Sequence, residues 1–209
     1  MGAGTSGGAK GAALARRWLV LAAYVALLYG MLPFGPRIGL AVLRTRAGAW
    51  FLGPALPVLA MLGAAGLMVF LWRRDAPAWA YAALAATGVG YAIAFSWLRA
   101  SHLERTHLPE YGLASLLAWR ALVPIMPGSF AAYSAAAVLG AAIGYGDELL
   151  QGIVPGRHYD LRDVAMNAVG AVLGMVVLAA ARARRARPAV WAAAVGVTNE
   201  PPSRQALHS

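Results

Sequence analysis

Long apolar runs, separated by short basic or polar segments, make up most of this chain. A helix needs about 20 predominantly apolar residues to cross the hydrocarbon core of a bilayer. Five runs are suited to this, namely Trp18–Phe34, Pro54–Trp72, Ala78–Leu98, Ser129–Leu150 and Val164–Ala181. Trp18, Trp72 and Trp79 mark run ends, at the headgroup depth that indole rings prefer. The pattern therefore predicts an all-α fold, a polytopic bundle of transmembrane helices.

Two further features bear on the number and packing of these helices. The segment Tyr111–Met126 is apolar but shorter, and it carries Arg120. An arginine at mid-bilayer costs at least ~2.5 kcal/mol, so Arg120 is expected to face the bundle interior or a partner acid. The alternative is an interfacial or re-entrant helix; a spanning helix is favoured because it brings two polar stretches, described below, to one membrane face. About six helices are therefore predicted, and Gly170 and Gly174 would let the last one pack closely against a neighbour.

The composition agrees with a membrane protein and divides the chain into regions. The sequence is 60% hydrophobic and 12% charged, whereas soluble domains carry about 25% charged residues. Cysteine is absent, which excludes disulfides and metal sites built on thiolates. We expect a flexible tail at 1–15, three transmembrane helices within 16–99, a polar-hairpin domain at 100–181 and a disordered basic tail at 182–209. The segment Gly35–Gly53 is a candidate for a short interfacial helix.

The net charge of +10 comes almost wholly from arginine, which is typical of a GC-rich bacterial genome. The arginines flank apolar runs, as at Arg16–Arg17, Arg73–Arg74 and Arg182–Arg187. Basic residues beside membrane helices are retained on the cytoplasmic side and contact anionic lipid. We therefore expect a multi-pass protein of the bacterial cell (inner) membrane, with its C-terminus in the cytoplasm, in contact with membrane lipid and not with nucleic acid.

The last two apolar runs are joined by a polar hairpin. Its polar members are Asp147, Glu148, Gln151, Arg157, Asp160, Asp163 and Asn167. Residues three and four apart share a helix face, so Asp147 and Glu148 should both meet Gln151. Asp160 is suited to cap the following helix, and Asn167 lies one turn beyond Asp163, ~6 Å deeper at 1.5 Å per residue. Because the loop has only about ten residues, both helix ends must share one membrane face.

Asp147 and Glu148 are the least expected of these residues and are the candidates for catalysis. They fall at the C-terminal end of a helix, where the macrodipole disfavours negative charge. Ionisable residues at such a membrane position are functional candidates by default. The alternative is a structural role, in which the two acids pair with Arg157 and Arg162 and hold the hairpin closed.

A second polar stretch precedes the sixth segment. Glu104, His107 and Glu110 repeat every third residue and are followed by Tyr111. If this stretch meets the hairpin, His107 becomes a further catalytic candidate. A metal site of His107, Glu104 and a hairpin acid is chemically possible. The two histidines of this stretch, His102 and His107, are not closely spaced. This favours a hydrogen-bonding histidine instead, so neither a metal nor a cofactor is predicted.

These two stretches resemble the VanZ-like family of integral membrane proteins. The resemblance rests on Asp147-Glu148-x-x-Gln151, Val154-Pro155-Gly156-Arg157, Asp160, Asp163-Val164 and Asn167-x-x-Gly170, and upstream on Glu104-x-x-His107-x-x-Glu110-Tyr111-x-Leu113. It covers about residues 100–180, and Glu stands here where other members have Asp-Lys. Some members are associated with low-level teicoplanin resistance, and no established reaction accompanies the fold.

Three functions are compatible with this resemblance and with the polar residues. The first is an envelope protein that lowers glycopeptide susceptibility, with Arg157 and Arg162 contacting the phosphate of a lipid-linked precursor or of an anionic lipid at the outer leaflet. The second is an enzyme acting on a membrane-soluble substrate, with Glu148 as general acid or base, Asp147 tuning it and His107 as second proton carrier. The third is a transporter, which ranks last because the chain shows no inverted repeat. Binding of the ligand or substrate is assigned to the remaining polar residues, which are Glu104, Glu110, Tyr111, Gln151, Asp160, Asp163 and Asn167.

Overall fold

The computed structural model describes residues 5–51, 55–97, 106–126 and 128–184, and in these ranges it contains helices and no strands. The helices are α1 (Thr5–Met31), α2 (Gly35–Leu43), α3 (Arg46–Trp50), α4 (Leu56–Arg73), α5 (Ala78–Trp97), α6 (His107–Leu122), α7 (Ser129–Gln151) and α8 (Leu161–Arg182). The prediction of an all-α helical bundle is confirmed.

Three of these helices are long and apolar enough to cross a membrane: α1 from Gly8 onwards, α7 and α8. Helices α4 and α5 contain shorter apolar stretches, Val58–Arg73 and Ala78–Ala94. Many large apolar side chains point away from the bundle, among them Leu27 and Val138, which are 61% and 69% exposed. Apolar surface of this extent does not suit an aqueous environment but suits contact with lipid.

Helix α8 packs against α6 at backbone distance. A Cβ atom added at Gly170 would lie 2.5 Å from the carbonyl oxygen of Leu108, and one added at Gly174 would lie 2.7 Å from Cα of Gly112. The predicted small-residue pattern therefore does bring two helices together. Because Leu108 faces Gly170 and Gly112 faces Gly174, α6 and α8 run parallel to each other.

Helices α7 and α5 run antiparallel to α8. Gly144 of α7 lies against Asn167, and Gly140 of α7 lies against Ala171. On another side of α8, Gly90 of α5 contacts Leu173. The C-terminal turn of α7 and the N-terminal turns of α6 and α8 are therefore at the same end of the bundle, where the polar hairpin lies.

The opposite end of the bundle carries arginines. Arg17 of α1 donates through Nη1 to the carbonyl oxygen of Arg120 at 3.0 Å, and the guanidinium of Arg182 lies 4.7 Å from the ring centre of Trp119. Arg120 is exposed and in the last turn of α6, so the expectation that it faces the bundle interior or an acid is wrong. Its position at a helix end, where the side chain reaches water or headgroups, removes the cost of mid-bilayer burial.

Two further predictions concern the start of the first helix and the loop that follows it. Helix α1 begins at Thr5, inside the segment predicted as a flexible tail. The loop Gly35–Gly53 contains two short helices, α2 and α3, and the hydroxyl oxygen of Thr45 caps α3 by accepting from the amide of Gly48 at 3.0 Å. Most of the predicted basic tail, from 185 onwards, lies outside the described residues.

Candidate functional site

The last turn of α7 buries three polar side chains together. Asp147, Glu148 and Gln151 are 3%, 0% and 2% exposed. Nε2 of Gln151 donates to Oδ2 of Asp147 and to Oε1 of Glu148, both at 2.8 Å. The spacing of three and four residues predicted this contact. The other carboxylate oxygen of each acid is not bonded to the Gln151 amide.

Arg157, in the loop between α7 and α8, donates through Nη2 to Oε1 of Gln151. The arginine is therefore connected to the two acids through an amide, rather than by the direct pairing that a purely structural hairpin would have. Since Gln151 accepts with its oxygen, its nitrogen must face the carboxylates. A neutral side chain thus holds Asp147 and Glu148 in place.

The start of α8 forms the second wall of the site. The side chain of Asp160 accepts from the amide of Arg162 at 2.8 Å, which confirms the predicted helix cap. The amide of Asp160 is 3.4 Å from Oε2 of Glu148, at the long end for a hydrogen bond. Asp163 is half-buried and acts electrostatically on Glu148.

Asn167, one turn further into α8, is fully buried and connects all three helices. Its Nδ2 donates to the carbonyl oxygen of Gly144 in α7 at 3.1 Å. Its Oδ1 is 3.2 Å from Nδ1 of His107 in α6. Gly144 permits this arrangement because a Cβ atom there would collide with Asn167.

The orientation of Asn167 determines the hydrogen on His107. Because the amide nitrogen of Asn167 faces Gly144, its oxygen faces the imidazole, and Nδ1 must be the donor. Nε2 is then the ring nitrogen available for chemistry. The imidazole also stacks on the ring of Tyr111 at 6.2 Å between centroids, and the Tyr111 side chain hydrogen-bonds to Asp147.

The structure brings together residues that are about forty positions apart in the sequence. One ligand-type atom from each of His107, Asp147 and Glu148 lies within 4.8 Å of the other two. His107 of the second polar stretch therefore meets the hairpin acids in one cluster at one end of the bundle. Glu104 lies outside the described residues. Glu110 is half-buried and adjoins α1, where its carbonyl oxygen accepts from the hydroxyl of Tyr24 at 3.0 Å.

Helix α1 also contributes to the site, which was not predicted from the sequence. The hydroxyl of Tyr29 donates to the carbonyl oxygen of Ile143 at 2.7 Å, one turn before Asp147, so α1 closes one side of the site. Tyr24 makes the corresponding bond to α6. Two tyrosines within an apolar helix were a usable signal, because a buried phenol needs a hydrogen-bond partner.

The fold and the site define a polytopic helical membrane protein with a buried cluster of carboxylate, amide and imidazole groups at one end of the bundle. Over residues 45–182, well over half of the chain, the sequence matches the VanZ/LLP1 family. The chain belongs to this family. The match begins well before residue 100, so it includes α4 and α5, which carried no visible motif. No curated protein and no solved structure is significantly similar to the chain.

Proposed function

We propose that this protein engages a lipid-linked envelope precursor at the outer face of the bacterial inner membrane, and that it thereby lowers susceptibility to teicoplanin. The proposal of a pocket is carried by one observation, the convergence of His107, Asp147 and Glu148 in one cluster within a bundle that has an apolar exterior. Ionisable groups are costly in such surroundings and mark functional sites. The exposed Arg162 and the half-buried Arg157 at the rim suit contact with a phosphate group.

The arginine-bearing end of the bundle supports this orientation. Arg17, Arg120 and Arg182 lie together at the end opposite to the pocket. Basic residues next to membrane helices favour the cytoplasm. With that end inside, the C-terminus is cytoplasmic and the pocket faces the outer leaflet, where envelope precursors are used.

Reporter fusions test the orientation. Alkaline phosphatase, which folds only outside the cytoplasm, is expected to be active when fused after Arg157 and inactive when fused after Gly128. Green fluorescent protein at the same two positions should give the reverse result. An inactive phosphatase after Arg157, with fluorescence there, would place the pocket on the cytoplasmic side and contradict the proposal.

Deletion of the gene in its host tests the effect on teicoplanin. We expect the minimal inhibitory concentration to fall by a few dilution steps, since the effect associated with the family is low-level. Wild-type protein should restore it, and Glu148→Gln should not, because the substitution removes a buried charge from the pocket. The control is Asp75→Asn, which changes an exposed acid outside the site. An unchanged minimal inhibitory concentration of teicoplanin after deletion would contradict this proposal.

The same geometry supports a second candidate, an enzyme that transfers protons on a lipid-linked substrate. Glu148 would act as general acid or base, Asp147 would tune it, and His107 would carry the second proton. The supporting observation is that a histidine and two carboxylates lie within reach of one reacting group. Glu148→Gln and His107→Ala proteins that are present at normal levels and retain the full phenotype would exclude this mechanism, whereas a binding role through the arginines would survive.

A further inference from the structure

The pocket contains a set of side chains suited to a metal ion. One imidazole nitrogen of His107 and one oxygen from each of Asp147 and Glu148 lie within 4.8 Å of one another. Ligand atoms around an ion bound at 2.0–2.2 Å are about 3.4 Å apart in a tetrahedral set. Side-chain movements of about 1 Å would therefore close this set onto one ion.

The hydrogen bonds around these three residues leave the right atoms for coordination. Nδ1 of His107 is used by Asn167, so Nε2 remains for a ligand bond. Metal-binding histidines usually donate their other ring N–H to a fixed oxygen in this way. Gln151 holds one oxygen of each carboxylate. Oε2 of Glu148 also accepts a long bond from the amide of Asp160, and each carboxylate oxygen keeps a second lone pair with which it can bind an ion.

The charge in the pocket also favours a cation. Asp147 and Glu148 are buried side by side, and Asp163 adds a third negative group close to Glu148. In this hydrogen bond Arg157 donates to the amide oxygen of Gln151 and not to either carboxylate. A divalent ion would compensate two buried negative charges at once. His107 is half-buried, whereas the two acids are buried.

We infer that His107, Asp147 and Glu148 form a binding site for one divalent transition-metal ion, Zn²⁺ or Mn²⁺. An imidazole nitrogen selects for such ions over Mg²⁺ and Ca²⁺, while two carboxylates suit Mn²⁺ and are common in zinc sites. Three protein ligands leave at least one coordination position open, as in catalytic metal centres. The inference does not depend on the proposed function, because binding is measured on purified protein without any phenotype.

The test is a titration of the detergent-purified full chain, carried on a tag without histidine. Zn²⁺ is titrated against a chromophoric chelator, and Mn²⁺ binding is followed by the loss of the aqueous Mn²⁺ resonance signal. One ion per chain is expected, and an equal concentration of Mg²⁺ should not displace it. A monodisperse wild-type protein that takes up neither ion, or that releases it to equimolar Mg²⁺, would overturn the inference.

Variants locate the ion. His107→Ala, Asp147→Asn and Glu148→Gln should each weaken binding by more than the 10–100-fold that loss of an outer-shell partner costs, and Asn167→Ala by about that amount. His158→Ala and Asp75→Asn, which change an exposed histidine and an exposed acid elsewhere, should leave affinity unchanged. If the three ligand variants bind as well as the wild type, the ion is elsewhere and the site is refuted.

Discussion

Replacing Gly170 with valine is expected to lower the free energy of unfolding by about 3 kcal/mol, at the upper end of the cost of overpacking. A Cβ atom at this position meets backbone atoms of Leu108, the nearest at 2.5 Å. Backbone cannot move aside as a flexible side chain can, so α6 must separate from α8. The measurement is the fraction folded in purified protein titrated with dodecyl sulfate in mixed micelles.

The matched control is Gly66→Val in α4, because a Cβ atom at Gly66 meets nothing within 4 Å. This variant should unfold at nearly the wild-type dodecyl sulfate fraction. A Gly170→Val protein that is as stable as Gly66→Val would show that α6 and α8 are not in backbone contact. The parallel helix pair, and with it the position of His107, would then be wrong.

Gln151→Leu is expected to cost about 3 kcal/mol or more in the same assay. The substitution keeps the approximate volume but removes two hydrogen bonds to buried carboxylates, each worth roughly 1.5–3 kcal/mol. It also deprives Arg157 of the amide oxygen it contacts. Asp147 and Glu148 are then adjacent, buried and without the group that holds them apart.

A double-variant cycle separates this effect from a general loss of packing. In a Glu148→Leu background one of the two carboxylates is gone, so Gln151→Leu should cost clearly less than in the wild type, with a coupling of about 0.5–3 kcal/mol. Leu149→Ala, half-exposed in the same turn, should have a small effect by itself. Strict additivity of Gln151→Leu and Glu148→Leu would mean that the amide does not support the acids.

The local parts of the fold could be predicted from the sequence because they depend on helix periodicity and capping. The contact of Gln151 with both acids follows from spacings of three and four residues, and the Asp160 cap from residue type and position. The pairing of Gly170 with a neighbouring helix was predictable as a pattern. Its partner, Leu108, was not, since nothing local determines which helix a small-residue face contacts.

Long-range relations explain what the sequence did not reveal. His107 lies beside the acids and is held there by Asn167, sixty residues later, through a bond that depends on how three helices pack. The role of Tyr29 depends on α1 lying against α7. Arg120 was misplaced because its depth was inferred from the apolar run around it, whereas the helix ends just beyond it at Leu122.

Asn167 is the point where three helices share a single amide group. A ligand that holds His107 in its present orientation is therefore expected to stabilise the contact between α6 and α8. Through the bond of Asn167 to Gly144, it should also stabilise the contact between α8 and α7. Occupancy of the pocket and cohesion of the helix trio are therefore thermodynamically linked. Ligand binding at the polar end should therefore raise the stability of the packing between α6, α7 and α8.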